Sequence, residues 1–302
     1  MVVASIGYIA FTLYGAIGEI AILDNITHIL MLIATFSLVS IIAIAAIGYA
    51  WKLNLEFLSN ENLNTNEIFA IFLRAGLSKY LPGNVMQYVT RNLYAQKIGI
   101  TQTKMAFGSV LEVGLVAIIS FVLALVLGRE VLFGLLFEYV QVWTYIAGIS
   151  GLLVIVCIAA FLLRKTKIAL YVKENIIKQF SEIKPSKFIA FFLKMTALVT
   201  YSHIALGVMF FFMLRAVTGL SDISLLVVLP AYIIAWFIGF VTPGSPAGIG
   251  VKETILSLLL AGAYAREYVL VAALLLRVAT VLADILAFAL YYLYQTIVKV
   301  RG

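Results

Sequence analysis

Charge is what this chain has least of. Lys, Arg, Asp and Glu make up 12% of its 302 residues, about half the share of an ordinary soluble domain. That deficit excludes a soluble globular chain of usual composition. With 64% hydrophobic residues and a mean hydropathy of +1.11, the expected class is an all-α, polytopic integral membrane protein. Short segments of strict apolar–polar alternation do not dominate, which excludes a β-barrel. The single cysteine, Cys157, excludes a disulfide within the chain and reads as a small core residue. The two histidines, His28 and His203, lie far apart with no ligand spacing around them, so no metal site is expected. There is no glycine-Lys-Ser/Thr phosphate loop, hence no sign of direct ATP use, and no nucleophilic triad is visible. No cofactor is expected. No basic residue precedes the first apolar run and no small-residue cleavage site follows it, so residues 1–23 read as a retained helix and not a signal peptide.

Proline is scarce too, at five residues, and its placement is informative. Pro82-Gly83 breaks one apolar stretch. Pro243-Gly244-Ser245-Pro246-Ala247-Gly248-Ile249-Gly250 breaks another. Proline removes a backbone donor and glycine loosens a helix. In hydrocarbon the freed groups have no water to turn to, so such breaks persist only where protein or an aqueous cavity surrounds them. Paired breaks in corresponding halves point to a transport site.

Apolar runs long enough to cross about 30 Å of hydrocarbon fall at about 1–23, 29–50, 105–127, 141–163, 195–217 and 268–296. Residues 51–66 read as a polar loop. Residues 67–97 are too polar for an ordinary span, and 225–263 form two apolar arms around the second break. The expected architecture is therefore about six full spans plus two broken or re-entrant segments, eight hydrophobic units in all. The stretch 164–194 carries eight basic and two acidic residues, with apolar residues interleaved as in an interfacial amphipathic helix.

The net charge of +7 is explained by topology and implies no nucleic acid. Sixteen of the 21 Lys and Arg residues fall in 51–104, 164–194 and 299–301, as the positive-inside rule predicts for cytoplasmic segments. With these segments inside, both termini are cytoplasmic and the protein belongs to the cytoplasmic membrane. Each half, 1–140 and 141–302, then reads span, span, broken segment, span, and the halves start on opposite sides. That is an inverted repeat forming one integrated membrane domain.

Seven charged residues stand out within the apolar segments. Glu112 and Arg277 occupy matching depths in spans 105–127 and 268–296, and are expected to meet across the pseudo-two-fold. A lone charge at the bilayer centre costs at least ~2.5–3.5 kcal/mol, so it pairs or faces a cavity. Asp284, seven residues after Arg277, shares its helix face and is a further expected partner for it. The turn leading into Lys252-Glu253 opens a helix, a natural anion site with Lys252 placed for phosphate. Lys79 and Arg91 flank the first break in the same way, although Arg91 equally fits a charge snorkelling to the interface. The aromatic residues Tyr80, Tyr88, Tyr94, Tyr232 and Trp236 read as interface-belt or packing residues.

The ordered set Lys79-Tyr80-Leu81-Pro82-Gly83-Asn84-Val85 with Arg91, Leu111-Glu112, Pro243-Gly244 through Gly248-Ile249-Gly250-Val251-Lys252-Glu253, and Leu276-Arg277 resembles the membrane domain of lysylphosphatidylglycerol synthase/flippases and their stand-alone relatives. The resemblance spans nearly the whole chain. It implies an inner-membrane protein that moves amphipathic lipids between leaflets. Two-domain members add a soluble domain that transfers lysine to phosphatidylglycerol. This sequence ends at Gly302 without that domain, so aminoacyl transfer is not expected of it. It also carries Gly-Ser-Pro-Ala-Gly where the resemblance calls for a shorter Pro-Gly-Gly-(Leu/Ile)-Gly.

The expected function is lipid transport. The headgroup of a phospholipid, aminoacyl-phospholipid or polyprenyl-linked glycan would meet Lys79, Arg91, Lys252 and Arg277, with Glu112 balancing the site. Membrane lipids are the expected partners, and a homo-oligomer is compatible with the sequence. The rivals are an intramembrane lipid-modifying enzyme, for which only Glu112, Asp284 and His203 offer acid–base groups, and an ion-coupled carrier of a small anion.

Overall fold

The computed structural model describes residues 26–80, 86–95, 99–128, 184–242 and 246–301, and among these every regular element is helical. The elements are α1 (Ile26–Ser59), α2 (Thr65–Ser78), α3 (Met86–Ala95), α4 (Gln102–Leu127), α5 (Pro185–Thr218), α6 (Leu225–Val241), a short 3-10 turn (Pro246–Gly248), α7 (Val251–Leu260) and α8 (Arg266–Arg301). The expected spans 1–23 and 141–163, the stretch 164–183, and the break residues Pro82, Gly83, Pro243 and Gly244 lie outside the described residues.

Among the described residues, four helices are long and apolar enough to cross a membrane: Ile26–Ser59, Lys104–Leu127, Pro185–Thr218 and Arg266–Ile297. At 1.5 Å per residue, α1 and α5 each reach about 51 Å, more than the hydrocarbon thickness. The arms α3 and α7, with 10 residues each, reach only about 15 Å and cannot cross alone. Large apolar side chains face outward, among them Leu226 at 85% exposure and Val110 at 69%. Such a surface suits lipid and not water.

The chain divides into two compact units, residues 1–129 with 194–302, and residues 130–193. In the second, the described residues are 184–193. They carry the first turns of α5, where Pro185 opens the helix at a position whose N–H has no helical partner anyway. Residues 185–194, expected in the amphipathic stretch, are thus part of the same long helix as 195–217.

Within the first unit α1 and α8 pack closely. Ala272, Ala279 and Ala283 of α8 are fully buried, and Ser37 donates to the Ala279 carbonyl at 3.0 Å. Small residues let the two backbones approach, as in membrane helix pairs generally. The polar loop expected from residue 51 begins only after Ser59. Trp51 and Leu55 are buried against Ile68, Ile71 and Phe72 of α2 and Met105 of α4. Asn54 donates to the Gly108 carbonyl at 2.7 Å, while Lys52 and Glu56 pair one turn apart at 3.1 Å. The polar residues therefore sit on an amphipathic extension of α1, whose period a count of polar residues misses.

The other helices pack in a regular scheme: α2 on α3 and α8, α6 on α7 and α4, α3 on α4, and α7 on α8. Exchanging α2 with α6, α3 with α7 and α4 with α8 turns each of these contacts into another of the set.

Candidate functional site: a charged cavity between the broken arms

A cavity of about 320 Å3 opens within the first unit, and all seven charged residues singled out from the sequence line it: Lys79, Arg91, Glu112, Lys252, Glu253, Arg277 and Asp284. Six of them form three ion pairs. Arg91 of α3 gives both Glu112 carboxylate oxygens of α4 its Nη1, at 3.0 and 2.7 Å. Arg277 of α8 reaches Glu253 of α7 through Nη2 at 2.9 Å. Lys79, just past α2, meets Asp284 of α8 at 2.6 Å, and Tyr80 donates its hydroxyl to the same carboxylate.

These partners correct two expectations. Glu112 is held by Arg91 and not by Arg277, and Asp284 is held by Lys79 and Tyr80 and not by Arg277. Matching depth in two spans fixes neither side chain's neighbour. Each charge instead finds its partner on the short arm or break next to it. Arg91 is no snorkelling surface charge either. It is 3% exposed, and its guanidinium stacks within 5.0 Å of the Trp51 ring, 4.8 Å of Phe72 and 5.5 Å of Tyr88, which favours the cation by cation–π attraction.

The second break builds its site from backbone. Ala247 at φ 49°, Gly248 at φ 73° and Gly250 at φ 84° take left-handed conformations in a tight turn. The turn sends the Gly250 N–H to Glu253 Oε2 at 2.8 Å and the Ala247 carbonyl toward Arg277 Nη2 at 3.4 Å. Glu253 is thereby fixed from both sides at the first turn of α7, where the helix dipole favours a carboxylate. Pro246 belongs to the 3-10 turn.

Lys252 is different. Among the described residues it makes no ion pair. Its stem lies between Gly239 and Gly248, where a Cβ would come within 2.5 Å and 2.6 Å of it, and its ammonium stands 5.2 Å from the Trp236 ring centroid. Arg277 Nη1 is also buried without a hydrogen-bond partner. Among the described residues the cavity thus holds four cations against three carboxylates and leaves one Arg277 donor and the Lys252 ammonium unpaired, which suits an anion.

Gly248→Ala is expected to lower stability by about 1–2 kcal/mol, since alanine pays for the left-handed backbone that glycine adopts freely, and its methyl would also push Lys252 aside. Thermal unfolding in detergent checks this; an unchanged midpoint would show the turn to be slack.

The aromatic residues expected at the interface belt or in packing include Tyr232 and Trp236, which do pack with the core. Tyr80, Tyr88, Tyr232 and Trp236 all line the cavity. The signal that marks Tyr80 and Trp236 is proximity in sequence and helix turn to lysines and glycines, Lys79 beside Tyr80 and Gly239 three residues after Trp236. Gly239 itself and the His203–Ser120 contact were not legible as site features. Compared with protein-family models, curated proteins and solved structures, the chain gives no match.

Proposed function

We propose that the chain moves an anionic or amphipathic lipid between membrane leaflets, its headgroup passing through this cavity while the acyl chains stay in the bilayer. The observation that carries the reading is the cavity's uncompensated cation: among the described residues Lys252 has no carboxylate partner, and Nη1 of Arg277, which lines the same cavity, has no hydrogen-bond partner. A headgroup phosphate would accept from both, and charge-assisted bonds of this kind are the strong ones.

The same reading takes the architecture as an inverted repeat of about six spans and two re-entrant segments with cytoplasmic termini. The exchange symmetry of the contacts among α2, α3, α4, α6, α7 and α8 supports it. So do the ion pairs, which repeat with their signs swapped: cation on the arm and anion on the span in Arg91–Glu112, anion on the arm and cation on the span in Glu253–Arg277. Glu112 stands ten residues past Gln102 and Arg277 eleven past Arg266, so the two occupy nearly equivalent places. The motif resemblance to lysylphosphatidylglycerol flippases points the same way, with the cargo a phospholipid, an aminoacyl-phospholipid or a polyprenyl-linked glycan of the cytoplasmic membrane.

The test is reconstitution into vesicles carrying fluorescent phosphatidylglycerol in one leaflet. The wild-type protein is expected to move the label across, and Arg277→Lys and Lys252→Met, neither of which strands a buried carboxylate without a cation, to slow it. Normal rates in both variants would remove the proposed site. Phosphate uptake without lipid movement would replace the reading with a small-anion carrier, and a modified lipid product would replace it with an enzyme.

A further inference from the structure

His203 of α5 makes more polar contacts than a neutral ring has protons to fill. It is 3% exposed and stands on the cavity wall. Its Nδ1 lies 2.8 Å from the Val199 carbonyl, a pure acceptor, so Nδ1 carries a proton. A neutral ring then turns the Nε2 lone pair toward Ser120 Oγ of α4 at 3.0 Å. The Ser120 hydroxyl has a single proton, and its Oγ also lies 2.6 Å from the Val116 carbonyl. That proton serves either Nε2 or Val116. Each choice leaves two lone pairs facing one another in a buried place, where an unmade hydrogen bond is costly. The imidazolium removes the conflict: Nδ1–H donates to Val199, Nε2–H donates to Ser120, and Ser120 donates to Val116.

What opposes the charged ring is burial and one neighbour. α4 brings Ser120 and α6 brings Trp236, whose ring centroid is 4.2 Å from that of His203. Neither is a charge. α7 brings Lys252, whose ammonium stands 5.2 Å from the centroid of the same Trp236 ring. A like charge at this range disfavours the imidazolium. An anion seated on Lys252 and Arg277 cancels that charge.

We infer that His203 with Ser120 is a proton-binding site linked to the anion site at Lys252, so that a proton, taken up from water by Nε2, accompanies an anionic headgroup. The inference rests on the transport reading for the identity of the anion as a lipid headgroup, but the linkage itself rests on the hydrogen bonds. Linkage is reciprocal: an anion strengthens proton binding by the factor with which the proton strengthens anion binding.

The experiment follows the ring nitrogens of histidine-labelled protein by NMR in micelles, with His28→Gln leaving His203 as the sole signal. At about pH 6.5, the ordinary imidazole midpoint, saturating short-chain phosphatidylglycerol is expected to raise the ratio of charged to neutral His203 at least about fivefold. Ser120→Ala is expected to lower that ratio without lipid, because it removes the lone-pair conflict. Lys252→Met is expected to raise it and to abolish the response to lipid. An unchanged ratio in the wild-type background on adding lipid overturns the inference. Vesicle assays on the same protein separate this from the transport reading. Lipid movement with no change at His203 leaves transport standing and the proton site overturned. A change at His203 with no lipid movement leaves the linked site standing and overturns transport.

Discussion

Arg91→Ala is expected to lower the unfolding free energy by about 3–5 kcal/mol, because it strands the nearly buried Glu112 carboxylate without its partner. Both side chains are nearly fully buried, at 4% and 9% exposure, so solvent does little to soften the loss. Three aromatic rings also lose the cation they surround. The double variant Arg91→Met, Glu112→Leu removes both charges and refills the ring cage with a flexible apolar side chain. It is expected to recover most of the lost stability, since replacing a buried pair by apolar residues is often neutral. Denaturant titration in micelles measures both. A single-variant cost below about 1 kcal/mol would mean that the pair is solvated like a surface bridge. The double variant also separates folding from function: a stable protein that no longer moves lipid assigns the pair to the transport path, and a stable protein with normal rates assigns it to packing.

Composition made the membrane class legible, because no arrangement of 64% hydrophobic residues buries itself in a chain of this length without lipid-facing surface. The charged positions were legible for the same reason: Lys79, Arg91, Glu112, Lys252, Glu253, Arg277 and Asp284 are conspicuous in apolar surroundings, and all line one cavity. Their pairing was not legible. Helical periodicity gives the depth and face of Glu112 and Arg277, but an ion pair closes over 3 Å, and which helix comes that near is a property of tertiary packing. The short arms α3 and α7 come nearer to each span than the two spans come to each other, so the arms supply the partners. That four of the aromatic residues also line the cavity was not legible for a related reason. A tyrosine at an interface belt and a tyrosine walling a polar cavity share the same amphipathic chemistry, and only the neighbours differ. Residues 51–59 mislead because several of their polar groups pair inside the protein, the Asn54 amide N–H on Gly108 and Lys52 on Glu56.

The swapped signs of the two arm–span pairs bear on how such a cavity opens. Each pair ties a short arm to the long helix that follows it in the chain, and Lys79–Asp284 ties the first break to the second half. An incoming phosphate would compete with Glu253 for Arg277, and an incoming ammonium would compete with Lys79 for Asp284 or with Arg91 for Glu112. On the proposed transport reading, a zwitterionic or anionic headgroup would loosen the contacts that join arm to span and leave them to re-form behind it. Differential binding of this kind is the only way a ligand shifts a conformational equilibrium.

Lys252→Met is expected to slow the movement of phosphatidylglycerol by about 10-fold to 150-fold, the loss of a charge-assisted bond worth about 1.5–3 kcal/mol. Methionine keeps an unbranched stem for the slot between Gly239 and Gly248 and for the face of Trp236, so the packing survives and the ammonium alone is removed. The thermal midpoint is expected to hold or rise, since a partly buried cation with no carboxylate is a cost in the empty protein. Lys252→Arg tests the slot itself. Its charge is intact, but a planar guanidinium differs in shape from the single ammonium that the two glycines admit, and transport is expected to fall with stability. Vesicle assays with phosphatidylglycerol and with a neutral diacylglycerol label complete the argument. Loss confined to the phosphatidylglycerol label ties Lys252 to the phosphate. Equal loss with both labels would mean that the lysine holds the turn and not the lipid.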